Sequence, residues 1–112
     1  MILPDADPLI RDWILSDMSA APPAAALSAM NEMLSQYITG GFAKIFDEIR
    51  IPVIAVNADM WPTDHEANRR HMFSFDAIIL KDTDHFLMLN HAEEFNEALE
   101  KAINMIMKKQ VK

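Results

Sequence analysis

The stretch Ala77-Ile-Ile-Leu80-Lys-Asp-Thr-Asp-His85-Phe-Leu-Met-Leu89 decides how this chain folds. Its first four residues form a short apolar run, which is typical of a buried β-strand. The polar residues that follow predict a loop, and this loop presents His85. A second apolar stretch then leads into a long amphipathic helix. The segment therefore predicts a strand, a loop that carries one histidine, and a helix behind the loop.

A second strand is predicted by the run Ile51-Pro-Val-Ile-Ala-Val-Asn57, which is almost continuously apolar and rich in β-branched residues. Such a run is typical of a parallel strand that is covered on both faces. Asp64 can cap a helix that extends to about His71. The two strands are then parallel neighbours joined by a right-handed crossover. Because a two-stranded sheet is marginal by itself, we expect this pair to need further packing.

The final helix is predicted to run from about Ala92 to Lys109. Acidic residues in its first turn and basic residues in its last turn match the helix macrodipole. The face predicted to cover the sheet carries Phe95, Leu99, Ala102, Ile103, Ile106 and Met107. Truncation of Leu99 or Ile103 is therefore expected to destabilise the chain strongly, whereas truncation of His85 is expected to cost little.

The N-terminal part of the chain is predicted to be helical. Asp7-Pro8 combines an N-cap residue with proline at the first helical position. Pro22-Pro23 separates the first helix from the second, and Gly40-Gly41 ends the second. A short third helix is predicted from about Phe42 to Glu48. Helix–helix packing, or the lining of an acyl pocket, is expected for the apolar stripe of Trp13, Met18, Met30, Met33 and Leu34.

The predicted fold class is α/β. A helical cap-like segment is expected over residues 1–49, and a β-α-β-α unit of a parallel sheet over residues 50–112. The length of 112 residues, with about half of them apolar, suits one domain. The sequence shows no internal repeat.

Composition excludes several functional classes. The formal net charge is −7, so the surface repels phosphate backbones and nucleic acid is not an expected partner. No apolar run approaches the ~20 residues of a membrane span, and the acidic N-terminus does not resemble a signal peptide. With no cysteine and only two glycines, the chain has no thiolate metal site and no Gly-rich nucleotide loop. We expect a cytoplasmic protein without a cofactor.

Three motifs resemble, in their order and spacing, the C-terminal part of an α/β-hydrolase. Ile51-Pro-Val-Ile-Ala-Val-Asn57-Ala-Asp59 is similar to that family's penultimate strand and following turn. Asp84-His85-Phe-Leu-Met-Leu-Asn90 is similar to the family's Gly-His-Phe-x-Met-x-Glu. Ala92-Glu-Glu-Phe-Asn96 resembles the Pro-Glu-Glu-Phe-Asn that begins the family's closing helix, and the segment from Leu15 to Met33 resembles its helical cap.

The resemblance implies that His85 is a catalytic base, which accepts the proton of a nucleophile and returns it to the leaving group. It also implies an acid that orients the imidazole. Counted from Pro52, the family's acid position falls near Trp61, so Asp59 is the nearest candidate acid. A turn residue without a catalytic role is the alternative for Asp59. Asp64 is the next carboxylate, and a helix N-cap is its favoured role.

The residues that could complete a site are missing or have ordinary explanations. The family's nucleophile lies in a Gly-x-Ser-x-Gly turn, and no serine of this chain has such glycine neighbours. Asp82 and Asp84 flank His85, but we expect solvated loop carboxylates and no metal site. His65 and His71 lack the i, i+4 spacing of a helical zinc pair and are expected at the surface or an interface.

The resemblance therefore implies a truncated α/β-hydrolase. Its parent enzyme would hydrolyse a small ester, an amide or a C–C bond of a small-molecule substrate. Without a nucleophile, the chain is expected to be inactive alone. The alternative is a non-enzymatic oligomerising or ligand-binding module, and a third hypothesis is a small enzyme with an unrecognised nucleophile. The expected partners are a second copy, through the strand edge of residues 51–57, or a missing N-terminal hydrolase segment.

Overall fold

The computed structural model describes residues 2–111, with side chains as far as residue 109. Met1 and Lys112, the outer limits of the two expected segments, lie outside the described residues. The chain is mixed α/β, which confirms the expected class. In chain order, the elements are α1 (Pro8–Ser19), α2 (Pro23–Thr39), α3 (Gly41–Glu48), β1 (Pro52–Ala58), α4 (His65–His71), β2 (Ser74–Leu80), α5 (Leu87–Asn90) and α6 (Ala92–Val111).

The helix boundaries of the N-terminal part follow local sequence signals. Asp7 caps α1, because its Oδ1 accepts a hydrogen bond from the amide of Leu9 at 2.9 Å, and Pro8 occupies the first helical position. Gly40 ends α2 in the left-handed conformation, with φ of 76°, which glycine adopts without steric cost. Both predicted boundaries are confirmed.

The two strands form a parallel sheet that is in register along its length, with Pro52 opposite Ser74. The ring of His65 on α4 packs edge-on against Phe75, with 6.1 Å between ring centroids. On α6, the Nζ of Lys109 donates to the Oγ of Ser74 at 3.0 Å. Because consecutive strand residues point to opposite faces, α4 and α6 cover opposite faces of the sheet. The predicted parallel pairing is confirmed.

The second strand is longer than the sequence predicts. It begins at Ser74 instead of Ala77, because Phe75 is buried and extends the strand towards its N-terminus. In the sequence, the charged residue Asp76 interrupts the apolar pattern, so the pattern does not predict this extension. The short helix α5, formed by part of the apolar stretch after His85, is also absent from the prediction.

The face of α6 that covers the sheet matches the predicted face only in part, because Ala102 belongs to both. Ala98 and Ala102 are buried, whereas Leu99 is 41% exposed and Ile103 is 51% exposed. Small side chains let the helix approach the strands closely, so alanines take the central contact positions. The expectation that Leu99 and Ile103 cover the sheet is wrong for this chain.

The apolar stripe of α1 and α2 is exposed. All five residues of the predicted stripe are exposed, and the main contact of α2 with another element is with α3. The expected helix–helix packing of this stripe is therefore wrong within the described residues. The radius of gyration is 16.5 Å, compared with about 13 Å for a compact domain of this length. The uncovered apolar stripe of α1 and α2 agrees with this larger radius, although Ile14 on α1 is buried.

Candidate functional site

Asp59, the first residue after β1, accepts hydrogen bonds from the loop between β2 and α5. Its Oδ2 accepts the amide of Asp82 at 2.9 Å, and its Oδ1 accepts the amide of Thr83 at 3.2 Å. The carboxyl ends of parallel strands lie at the same edge of a sheet, so a residue after β1 can reach the loop after β2. Asp82 has a φ of 56°, a left-handed conformation that aspartate tolerates better than most residues. Asp59 therefore fixes the turn that precedes His85.

These contacts also determine the charge state of Asp59. The amide of Asp82 is the largest cause that holds the pKa of Asp59 below its ordinary value, and the amide of Thr83 is the next. The positive charge of Lys81 acts in the same direction. Asp59 is thus a carboxylate at neutral pH, with both of its oxygens engaged by the loop.

Thr83 and Asp84 are the most buried side chains in the described part of the chain. The hydroxyl of Thr83 donates to the carbonyl of Leu80 at 2.8 Å. Asp84 is 1% exposed, and its carboxylate accepts three donors. Its Oδ2 accepts the amide of Leu3 at 2.9 Å, its Oδ1 accepts the amide of Phe86 at 2.9 Å, and the side-chain amide of Asn90 reaches both oxygens.

Burial alone would raise the pKa of Asp84, because desolvation disfavours the charged form. Hydrogen bonds from the amides of Leu3 and Phe86 and from the side chain of Asn90 outweigh burial and hold the pKa of Asp84 below its ordinary value. The expectation that Asp84 is a solvated loop carboxylate is therefore wrong. Asp84 instead joins the N-terminal segment to the His85 loop.

His85 itself is exposed on a loop whose neighbours are fixed. Within the described residues, neither ring nitrogen of His85 makes a hydrogen bond. The ring stands edge-on to Phe86, with 5.1 Å between centroids and an interplanar angle of 87°. Because Asp84 and Phe86 are both held by hydrogen bonds, the imidazole is presented from a defined backbone.

A cavity of about 520 Å³ lies beside His85. The cavity is formed by the end of β1, the turn after β1 and the start of α5, and its volume is within the range of small-molecule sites. Apolar side chains dominate the walls, and a few polar groups converge on the space. Its lining includes Asn57, Trp61, Asp64, His85, Leu87 and Met88.

The two candidate acids have different positions relative to this cavity. Asp64 lines the same cavity as His85, but its Oδ1 accepts the amide of Ala67 at 3.0 Å as the N-cap of α4. The predicted N-cap role of Asp64 is confirmed. Asp59 is not among the residues that line the cavity, and its carboxylate accepts hydrogen bonds from backbone amides of the loop. Among the described residues, no carboxylate makes a hydrogen bond to His85.

No other catalytic group meets His85 in the described structure. The described residues that line the cavity include no serine, and none belongs to the exposed stripe of α1 and α2. Between residues 2 and 109, the side chains form no group of three or more His, Asp or Glu residues that could hold a metal ion. The Nδ1 of His71 lies 3.0 Å from Asp47 and joins α4 to α3. None of the described helices is long and apolar enough to cross a membrane.

Sequence reasoning missed the residues that build the loop. The bond from Asp84 to the amide two residues later is a local Asx turn, which an aspartate before an apolar residue could have suggested. Asn57 donates to the Oγ1 of Thr63 at 2.9 Å and lies at the end of an apolar run. A polar residue at this position could have predicted a polar wall of the cavity. The contact between Asp84 and Leu3 had no local signal.

Comparison with known proteins assigns no family to this chain. No family model, no curated protein and no solved structure shows significant similarity to it. The geometry of the loop and the cavity therefore carries the functional interpretation.

Proposed function

We propose that this chain is the base-presenting part of an α/β-hydrolase-type enzyme that cleaves a small ester, an amide or a C–C bond, with His85 as the general base. The observation that carries this proposal is the exposed, unbonded imidazole of His85. It stands at a ligand-sized cavity on a loop whose two flanking residues are fixed by hydrogen bonds. A histidine that served only packing would be buried or bonded.

The chemistry requires a nucleophile from outside the described cavity. His85 would remove the proton of that nucleophile as it attacks the substrate, and would then return the proton to the leaving group. The neutral imidazole needs one nitrogen free to accept a proton, and both nitrogens of His85 are free in the described structure. The apolar walls of the cavity, which include Leu87 and Met88, suit the hydrocarbon part of a small substrate.

The test is an activity assay on the complete gene product that contains this segment. We expect the reading frame, or a neighbouring frame, to encode a Gly-x-Ser-x-Gly turn. We further expect hydrolysis of a short-chain nitrophenyl ester and labelling by a fluorophosphonate. His85→Ala should abolish both. His91→Ala is the matched control, because His91 lies six positions further on and interacts with Glu94 instead of the cavity.

Activity that survives in His85→Ala, or a gene product without a nucleophile turn, would contradict the hydrolase proposal. The chain alone is expected to show no enzymatic turnover, since a base without a nucleophile and an oxyanion hole cannot catalyse acyl transfer. Turnover by the isolated chain that depends on His85 would point to a nucleophile within it.

A ligand-binding module is the second candidate, and the size of the cavity is the observation that favours it. NMR titration of the isolated chain with a short-chain ester distinguishes binding from chemistry. The methyl signal of Met88, which lines the cavity, should shift, whereas that of Met107 on α6 should not. Binding without activity in the complete gene product would support this candidate over the enzyme.

A further inference from the structure

The two edges of the sheet differ in how their backbone groups are satisfied. The amide of Asp59 donates to the carbonyl of Leu80 at 3.1 Å, and this bond fixes which residues of each strand face the other. The N–H and C=O of one strand residue point to the same side, and those of the next residue point to the opposite side. Odd-numbered residues of β1 therefore face β2, and odd-numbered residues of β2 face away from β1.

The outer edge of β2 is partly covered by charged side chains. The carbonyl of Phe75 accepts the Nε of Arg69 at 3.4 Å, and the amide of Ala77 donates to the Oδ1 of Asp76 at 3.2 Å. Arg69 and Asp76 also form an ion pair at 3.1 Å. Charged side chains at an edge strand oppose pairing with another strand. This edge is therefore protected.

The outer edge of β1 is open. Ile54 and Val56 direct their N–H and C=O groups to this edge, and no hydrogen bond reaches these groups within the described residues. The strand carries no charged residue. Its one proline, Pro52, stands at the first position and leaves the following amides available. An uncharged edge of this length is suited to pairing with another strand.

An exposed apolar stripe lies on the helix that covers this strand. α6 packs mainly against β1, and Ala98 and Ala102 face the sheet. The stripe consists of Leu99, Ile103 and Met107, which are all exposed. Leu99 and Ile103 each lie about 100° around the helix from the buried alanine that precedes them. α6 runs antiparallel to the strands on the face opposite α4. With the right-handed crossover that parallel units adopt, the stripe lies on the flank of α6 towards the open edge of β1.

We propose that the open edge of β1 and the apolar stripe of α6 together form a homodimer interface, in which β1 pairs antiparallel with β1 of a second copy. The two-fold axis is perpendicular to the sheet and passes beside Ala55. Ile54 of each copy exchanges backbone hydrogen bonds with Val56 of the other. The product is one continuous sheet in the order β2-β1-β1-β2, and the Arg69–Asp76 pair protects both of its ends.

The same axis brings the two α6 helices together, which favours a second copy as the occupant. Lys109 contacts Ser74, which lies opposite Pro52, and Ala55 lies about 10 Å further along the strand. About seven helical residues span this distance, which places Ala102 level with Ala55 and brings the adjacent Ile103 towards Ile103 of the second copy. Paired strands are about 4.8 Å apart, so helices centred directly above the two β1 strands would clash. Because α6 also contacts β2, its axis is displaced towards β2, and the two helices can then pack at about 10 Å.

Charge and symmetry also favour a closed dimer. The chain has a formal net charge of −7, and both parts of the proposed interface are uncharged, so a charged partner finds no complementary group there. The interface is isologous, because each copy contributes the same strand and the same helix. Since charged side chains stand at the other edge of the sheet, assembly is expected to end at two copies.

Cysteine cross-linking tests the strand register directly, because the chain contains no native cysteine. Ala55→Cys places the thiol beside the axis at a non-hydrogen-bonded position, where the two Cα atoms lie about 4.5 Å apart and can form a disulfide. Ala77→Cys is the matched control, because Ala77 is opposite Ala55 in the register but lies on the strand with the protected edge. We expect a covalent dimer from the first variant under mild oxidation and none from the second.

Light scattering on the purified chain tests the helix part of the interface. We expect twice the chain mass at micromolar concentration. Ile103→Asp should weaken dimerisation at least tenfold, because it places two like charges at the axis. Ile38→Asp, which changes an exposed isoleucine on α2 away from the proposed interface, should leave the dimer unchanged.

A monomer at micromolar concentration would overturn the proposal, and so would an open-ended oligomer. Equal cross-linking of the two cysteine variants would also overturn it. If Ala55→Cys does not fold, the Ile103→Asp comparison still decides. His85 lies outside this interface, although a further hydrolase segment that extended the sheet beyond β1 would use the same edge as the second copy. His85→Ala should therefore remain dimeric, which distinguishes failure of this proposal from failure of the enzymatic one.

Discussion

The loop before His85 and the helix α2 reverse the usual relation between polarity and burial. Thr83 and Asp84, a hydroxyl and a carboxylate, have almost no solvent exposure. On α2, by contrast, Leu27, Tyr37 and Ile38 are among the most exposed side chains of the described residues. The difference lies in available partners. The loop is surrounded by amide donors that satisfy its polar atoms, whereas no element within the described residues covers the apolar face of α2.

This comparison shows that specific hydrogen bonds are concentrated at the loop before His85. A buried carboxylate is tolerated only when hydrogen bonds replace the lost water, and Asp84 has donors from its own turn, from α5 and from the N-terminal segment. The exposed apolar side chains of a helix require no such hydrogen-bond partners. The loop is therefore expected to be sensitive to substitution, and α2 is expected to be tolerant.

The largest effect is expected for Asp84→Ala. Three donors would lose their acceptor, and each buried unsatisfied donor costs about 1–3 kcal/mol, so the free energy of unfolding should fall by about 2–4 kcal/mol. Urea denaturation measures this change. Asp17→Ala, at an exposed position of α1, is the control and should change stability by less than about 0.5 kcal/mol. Equal effects in the two variants would mean that the Asp84 contacts do not stabilise the fold.

A related effect is expected in the pH dependence. The pKa of Asp84 and the pKa of Asp59 are both lower in the folded chain than the ordinary value of 3.8. A group with a depressed folded-state pKa stabilises the fold above its unfolded-state pKa. The contribution is lost as the pH falls through the folded-state pKa. The free energy of unfolding should therefore decrease as the pH is lowered below about 4.

Urea titrations at several acidic pH values measure this dependence. The decrease should be smaller in Asp84→Asn, which cannot ionise at this position. An unchanged pH slope in that variant would show that Asp84 does not contribute to acid unfolding.

The next effect is expected on α6. Ala102→Leu adds volume between the helix and the sheet, and such overpacking costs about 1–3 kcal/mol. Leu99→Ala removes a side chain that is largely exposed and should cost less than this in a monomer. Thermal unfolding at low protein concentration compares the two variants. A larger loss for Leu99→Ala would restore the face predicted from the sequence.

A local effect is expected for Asp59→Asn. The neutral amide can accept only through one oxygen, so one of the two loop amides loses its partner. Amide hydrogen exchange should accelerate at Asp82 and Thr83, with no comparable change at Ile54 to Val56 in β1. Uniform acceleration along the chain would show a global role for Asp59 instead of a local one.

The smallest effect is expected for Leu27→Gln on α2. Because Leu27 is exposed, the free energy of unfolding should change by less than about 0.5 kcal/mol. The substitution should nevertheless reduce fluorescence of a dye that binds exposed apolar surface. Strong destabilisation would mean that α2 is packed in solution, which would remove the contrast with the loop.

The sequence predicts those features that local chemistry determines. The caps formed by Asp7 and Asp64, the left-handed end of α2 at Gly40 and the parallel pair of strands all follow from short patterns. The position of His85 beside a cavity agrees with the loop predicted after the second strand. These features depend on neighbours within a few residues, or on the period of one element.

The features that the sequence did not predict depend on distant partners. Whether Ala98 or Leu99 faces the sheet is decided by how closely α6 approaches β1 and β2. The burial of Asp84 depends on Leu3, which is far away in the chain. Periodicity locates an apolar face to within about one helical position, and it gives no information on which donor will meet a carboxylate.

The hydrogen bond between Leu3 and Asp84 spans 81 positions, so it can form only after both of these residues have been synthesised. During synthesis, the N-terminal segment leaves the ribosome first, but its acceptor is made about 4–16 s later at 5–20 residues per second. The segment that contains Leu3 must wait until the β2 loop has formed. A growing chain therefore completes this contact only after Asp84 has left the ribosome, well after Leu3 has done so.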